Sequence, residues 1–302
     1  MSRPALPIIL LEHGPWRAEV YDPRPDPLTL GGRYVHGGYV RALLHGERQL
    51  TSRVQDGWSR FDGEGLPETF ENSLGWGATP LNEEYLRIGA GRLRRLHNSP
   101  REGASHQPLC TVLEWTIPER SARSLTMCTQ DTFSNQGAIY GYRLERRVAL
   151  HDDGLESTTK LTLLAENWQG HAITWFAHPF FAQDAVSDTA LAFPGTPAVS
   201  GPLACGPDGR WRMQEHQGRA VITNLWGSRE PIVVHLPGAR GGGSIALDLD
   251  RPLDHAVAFA THQVTSVEPK LARYFTHNET AQWTLRYRFQ GAPAPRAAGS
   301  AA

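Results

Sequence analysis

Gln282-Trp283-Thr284-Leu285-Arg286-Tyr287-Arg288-Phe289 decides the fold class. Trp283, Leu285, Tyr287 and Phe289 occupy alternate positions, with Gln282, Thr284, Arg286 and Arg288 between them. Successive side chains of an extended chain point to opposite faces. A period of two therefore puts the large apolar groups on one side and the polar groups on the other, as in a strand with one buried face. Tyr142 to Leu150 is a second, less regular run. It closes on His151-Asp152-Asp153-Gly154, where the Asp-Gly step supplies the positive φ of a hairpin-like turn. Leu155 to Leu164 returns as a Thr-rich strand, and Asn167-Trp168-Gln169-Gly170 reads as the next turn. Ala172 to Phe181, Ile232-Val233-Val234 and Ala256 to Thr265 continue the pattern.

Helical signals are scarce. No window of a dozen residues carries an i, i+3, i+4, i+7 stripe between caps, and only Asn82-Glu83-Glu84-Tyr85-Leu86 suggests a single turn. Strand after strand with Gly and Pro between them predicts an all-β, mostly antiparallel sandwich or barrel with very little helix. Gly241-Gly242-Gly243-Ser244 precedes no helix and no Lys, so it reads as a loop. Residues 1–290 are expected to form one domain, and the low-complexity stretch 291–302 a disordered tail.

The composition narrows the function. A chain of 302 residues can bury about three quarters of its extended surface without disulfides or metals. A net charge of −1 argues against a nucleic-acid binder, which needs a basic footprint. No run approaches the roughly 18 apolar residues of a membrane span. The apolar stretch before Glu12 and His13 is too short for a secretory leader. Cys110, Cys128 and Cys205 are odd in number and widely spaced, which predicts unpaired, buried thiols in a cytoplasmic protein. The 13 His are scattered without metal-site spacing, so no metal is expected, and HExxH, Walker and GxSxG motifs are absent.

Three segments offer chemistry. In Phe176-Ala177-His178-Pro179-Phe180-Phe181, alternation puts Thr174, Phe176, His178 and Phe180 on one face and Ile173, Trp175 and Ala177 on the other. His178 is then either a hydrogen-bonded core histidine or an acid–base group in an aromatic cleft. In Val264-Thr265-Ser266-Val267-Glu268-Pro269 a strand leads into Glu268, and Pro269 is expected to break the ladder. Glu268 is then either a solvated rim carboxylate or a general base whose pKa is raised by burial. Between Glu84 and His97 lie Arg87, Arg92, Arg94 and Arg95. They form either a solvated charged edge or, through Arg87 and His97, a clamp for hydroxyls, a carboxylate or a phosphate.

In chain order these segments resemble the galactose mutarotase-like (aldose 1-epimerase) superfamily, in particular its less-characterised bacterial branch. Phe70-Glu71-Asn72-Ser73-Leu74-Gly75-Trp76 with Glu84-Tyr85-Leu86-Arg87-Ile88-Gly89-Ala90-Gly91 carries the first part of the likeness. Ala165-Glu166-Asn167-Trp168 with Phe176-Ala177-His178-Pro179-Phe180-Phe181 is similar to the family's "HPYF" strand pair. Val267-Glu268-Pro269 with the closing strand is similar to its "EPw" ending, although Lys270 stands where the family usually has Trp.

The resemblance implies a β-supersandwich with a sugar cleft and a small-molecule sugar as partner, in a monomer or homodimer. It implies that His178 is the general acid on the ring oxygen and Glu268 the general base on the anomeric hydroxyl, with no cofactor. Arg87 and His97 are the nearest equivalents by position of the family's sugar-binding Arg and His. Some of Trp76, Trp175, Phe176 and Phe180 become stacking walls. Two other readings stay open: a non-catalytic carbohydrate-binding protein on the same fold, and an epimerase or lyase acting on uronates or phosphosugars.

Overall fold

The structure is a computed structural model. It describes residues 6–54, 62–97, 106–164, 170–183, 189–214, 218–225, 229–236 and 242–291. Two large sheets pack against each other. The ten-stranded sheet runs from Leu203–Cys205 through Gly243–Leu249, Thr280–Gly291, Gly154–Leu163, Ala138–His151 and Ser124–Asn135 to Thr116–Arg120. The seven-stranded sheet is ordered Ala198–Ser200, Gly218–Thr223, His255–Ala260, Val264–Phe275, His171–Ala177 and Glu68–Phe70. Phe181–Ala182 joins it by pairing with Val264–Phe275. Smaller sheets of four and three strands complete the layers. The pairings within both large sheets are antiparallel. The all-β expectation holds.

The alternating closing strand explains the core. Trp283, Leu285 and Tyr287 are buried on the inner face of the ten-stranded sheet. Trp283 meets Trp175 and Phe70 of the opposite sheet edge-on, with ring centroids 5.6 and 6.3 Å apart. Tyr287 meets Phe181 at 6.4 Å. Such burial contributes about 1.5–3 kcal/mol per large apolar side chain. Between the sheets Glu68 and Arg146 form an ion pair with 2 % side-chain exposure on each partner. Ser157 (2.6 Å), Thr159 (3.2 Å) and the Trp175 indole N–H (2.7 Å) also donate to the Glu68 carboxylate.

Several local expectations are corrected. Asn82–Leu86 makes no helical turn; Glu84–Arg87 is a strand paired with Gly91–Arg94, because both Tyr85 and Leu86 are buried. The named helix is instead a 3-10 turn, Pro27–Leu30. Ala256 to Thr265 is two strands, His255–Ala260 and Val264–Phe275, rather than one. The Thr261 hydroxyl accepts from the amides of Gln263 and Val264 and closes the turn between them. Gly243 and Ser244 begin the Gly243–Leu249 strand. Cys110 and Cys205 are exposed rather than buried, since their strands are short and turned to solvent. Among the described residues no helix is long and apolar enough to cross a membrane. The Ala165–Trp168 motif and residues 292–302 lie outside the described residues.

Candidate active site

The site grows from one irregularity in the seven-stranded sheet. His171–Ala177 pairs with Val264–Phe275 from His171↔Phe275 to Phe176↔Lys270. On the opposite side of Val264–Phe275, the Lys270 carbonyl accepts from the Asp254 amide. Backbone groups alternate sides along a strand, so the Pro269 nitrogen faces the His171–Ala177 strand, and proline has no N–H to donate. The ladder stops there. The chain departs as His178-Pro179-Phe180 and rejoins at Phe181, opposite Thr265. Pro269 does not end its own strand, as the sequence suggested. Its other side stays paired, with Ala256 opposite Pro269, and the strand runs on to Phe275.

His178 occupies the gap this leaves. Its Nε2 lies 3.1 Å from Glu268 Oε1, and its Nδ1 lies 3.0 Å from Ser266 Oγ. Arg33 Nη2 approaches Nε2 at 3.4 Å. Phe180 stacks on the imidazole at 4.5 Å with a 24° interplanar angle. The two side chains are nearly enclosed, at 5 % exposure for His178 and 6 % for Glu268. Close approach needs glycine at two points. A Cβ on Gly63 would lie 2.0 Å from the Phe180 ring, and one on Gly32, beside Arg33, would lie 2.5 Å from Leu93 Cδ2.

His178, Glu268, Arg33 and Phe180 line a cavity of about 400 Å³, together with Phe176, Phe259, Glu71, Arg219 and Lys270. Alternation places Ser266, Glu268 and Lys270 on the cavity face of their strand while Val267 enters the core. Lys270 Nζ is held 3.3 Å from both Glu71 carboxylate oxygens and 4.3 Å over the Phe176 ring.

Burial dominates the electrostatics. It pushes the Glu268 carboxyl up to about 7, against the pull of Lys270, Arg219 and Arg33. Burial first, and then Arg33, Lys270 and Arg219, hold the His178 imidazole well below 6.5. Near neutral pH the pair therefore holds one proton or none. A donor and an acceptor in contact can exchange protons with two neighbouring oxygens of a ligand.

The structure brings His178, Glu268 and Phe180 together, and Phe176 with them. It does not bring Arg87, His97 or Trp76 to the cavity lining. Arg87 is 2 % exposed, and burial lowers its pKa to about 10. Its guanidinium donates to the backbone carbonyls of Glu71 (3.0 Å) and Arg33 (3.3 Å), to Ser73 Oγ (3.2 Å) and to Thr69 Oγ1 (2.9 Å). It acts on the cavity only by fixing the segments that carry Arg33 and Glu71. His97 is engaged by the Gln107 amide at 3.0 Å. Trp76 packs edge-on against Tyr85 at 4.8 Å, with Arg95 4.4 Å over its ring. Trp175 is in the core.

Sequence reasoning missed Arg33, Glu71 and Arg219 as cavity groups, and Ser266 as the partner of His178. Ser266 shares the strand parity of Glu268 and was reachable from alternation alone. Arg33 follows Gly31-Gly32, a hint of a tight approach. Arg219 alternates with buried Ala220 and Ile222, but one strand does not reveal that its outer face meets a cavity. Among the described residues no group of three or more His, Cys, Asp or Glu side chains is placed to hold a metal ion.

No family model and no curated protein sequence matches the chain. Solved structures do. The galactose mutarotase-like protein from Lactobacillus casei ATCC 334 superposes with a TM-score of 0.57 at 14 % identity, covering 94 % of this chain and 100 % of that one. The galactose mutarotase related enzyme from Lactobacillus acidophilus gives 0.59 at 11 %, covering 93 % and 97 %. The GalM/aldose epimerase homologue from C. elegans gives 0.52 at 10 %, covering 95 % and 99 %. With its two packed antiparallel sheets and near-complete overlap with these proteins, the chain has the galactose mutarotase-like fold.

Proposed function

We propose that this protein is a cofactor-independent aldose 1-epimerase. The observation that carries the reading is the 3.1 Å contact between His178 Nε2 and Glu268 Oε1 at a cavity of about 400 Å³. Pockets of this size accept small molecules. The names of the structural neighbours point the same way.

In this reading the sugar's anomeric and ring oxygens enter between the two side chains. Glu268 takes the proton of the anomeric hydroxyl as the C1–O5 bond breaks. The bonding pair goes to the ring oxygen, which takes a proton from His178. The open-chain aldehyde rotates about C1–C2, and the reverse transfers close the ring as the other anomer. Each passage moves one proton onto the pair and one off it, so the reactive pair holds one titrating proton in total. Ring opening converts one tautomer of that pair into the other. Ser266, fully buried against Nδ1, fixes the orientation of the imidazole.

Polarimetry across hexoses, pentoses, uronates and sugar phosphates tests this. His178→Ala and Glu268→Gln are each expected to lose about 10²–10⁴-fold in rate. Wild-type rates in both variants would defeat the assignment. A wild-type protein that binds a sugar yet accelerates the exchange of none would favour the non-catalytic reading.

A further inference from the structure

Three cations surround Glu268 from different directions. Lys270 lies two residues along the same strand. Arg219 lies two strands across the sheet, opposite Phe259, which is itself opposite Ser266. Residues directly opposite in an antiparallel sheet share a face, so Arg219, Phe259 and Ser266 form one row facing the cavity. Arg33 comes from the loop beside His178. All three charges act on both His178 and Glu268.

Their partners differ. Lys270 is buried and tied to Glu71. Arg33 lies 5.0 Å over the Tyr34 ring and reaches His178. Asp62, a further acidic residue at the cavity, has a partner of its own. Arg219 is exposed, and among the described residues its guanidinium makes no hydrogen bond and no ion pair. An unpartnered surface arginine is ordinary. One that lines a nearly enclosed acid–base pair, where the neighbouring acids are engaged elsewhere, offers its fork of donors to whatever enters. That fork matches the oxygens of a carboxylate or phosphate.

We propose that the sugar bears an anionic substituent, carboxylate or phosphate, on the part of the ring remote from the anomeric carbon, and that Arg219 receives it. The proposal rests on the epimerase reading for the sugar's orientation. It gives to Arg219 the clamp that is one of the two sequence readings for Arg87, whose guanidinium is committed to backbone and hydroxyl groups.

The test compares D-glucose, D-galactose, D-glucuronate and D-glucose 6-phosphate by anomer-exchange NMR and by calorimetric binding. At least one anionic sugar is expected to exceed the neutral ones in kcat/KM by about 10–100-fold, the range of a charge-assisted hydrogen bond. Arg219→Gln is expected to erase most of that ratio, chiefly through KM, and Arg219→Lys to restore part of it. Comparison of the two acids identifies the anion. Equal or better turnover of neutral sugars, or a ratio unchanged in Arg219→Gln, overturns the proposal and leaves the epimerase reading standing. Anion binding that is lost in Arg219→Gln, with no exchange of any sugar, does the reverse.

Discussion

Two buried carboxylates occupy opposite faces of one sheet, and their surroundings differ in kind. Glu68 faces the core and receives Arg146, Ser157, Thr159 and the Trp175 indole. Glu268 faces the cavity, and among the described residues its contact partner is the His178 ring. Both are almost fully buried, at 3 % and 6 % exposure. A carboxylate surrounded by donors stays in place as structure. One in direct contact with a histidine ring alone has its pKa pushed up to about 7 by burial, against the pull of the nearby cations, and becomes able to trade a proton. Trp175 and His178, three residues apart in sequence, serve the two carboxylates on the two faces.

The largest expected effect separates the two sites by function. Glu268→Gln is expected to lower kcat by about 10²–10⁴-fold. The same variant is expected to be more stable than wild type at alkaline pH. A carboxyl raised from 4.5 to about 7 on folding is protonated in the folded state but ionised in the unfolded chain between those values. Stability therefore falls as pH rises through that window, by roughly 3 kcal/mol once pH exceeds 7. Thermal unfolding at pH 5 and pH 8 checks this: the advantage of Glu268→Gln should be largest at pH 8. An equally destabilised variant at both values would make Glu268 a structural group like Glu68.

Glu68→Gln should behave in the opposite way. Removing one partner of a buried pair strands the Arg146 charge and typically costs about 3–5 kcal/mol. Urea unfolding should show that loss, while kcat per folded molecule changes by no more than about threefold. A fall in kcat matching that of Glu268→Gln would erase the distinction.

The pH dependence sharpens it further. The reactive pair holds one proton, so kcat/KM should fall about tenfold per pH unit above an apparent pKa near 7. On the acid side it should hold until His178 takes up a second proton, well below 6.5. A rate that instead rises through pH 7 would mean that the Glu268 carboxylate acts alone. The smallest effect belongs to Ser266→Ala, which removes one hydrogen bond to Nδ1. A loss of about 3–10-fold in kcat, with a shifted acid limb, is expected; an unchanged profile would leave Ser266 as packing only.

Strand alternation carried most of what was legible in the sequence. It put Trp175 on the face opposite Phe176, which the structure shows to be the core, but the strand read as Ala172 to Phe181 ends at Ala177 and resumes at Phe181; the all-β architecture followed from the same periodicity. Proline gave a partial signal. Pro269 does interrupt a ladder, but only on the side where its nitrogen points, and sequence alone does not say which neighbour lies there. Charged residues misled most. Arg87 sits among buried strand positions, where a guanidinium serves carbonyls of neighbouring segments, whereas Arg219 reaches the cavity through sheet geometry that no local pattern encodes and Arg33 through a loop marked only by Gly31-Gly32.

The most direct test of the central claim is saturation-transfer NMR of sugar anomers at pH 7, with wild type, Glu68→Gln and Glu268→Gln compared at equal folded concentration. The account predicts accelerated exchange in wild type and Glu68→Gln, and a loss of about 100-fold or more in Glu268→Gln. Exchange that stays at the spontaneous rate in wild type for every sugar tried, or that survives in Glu268→Gln, would contradict it.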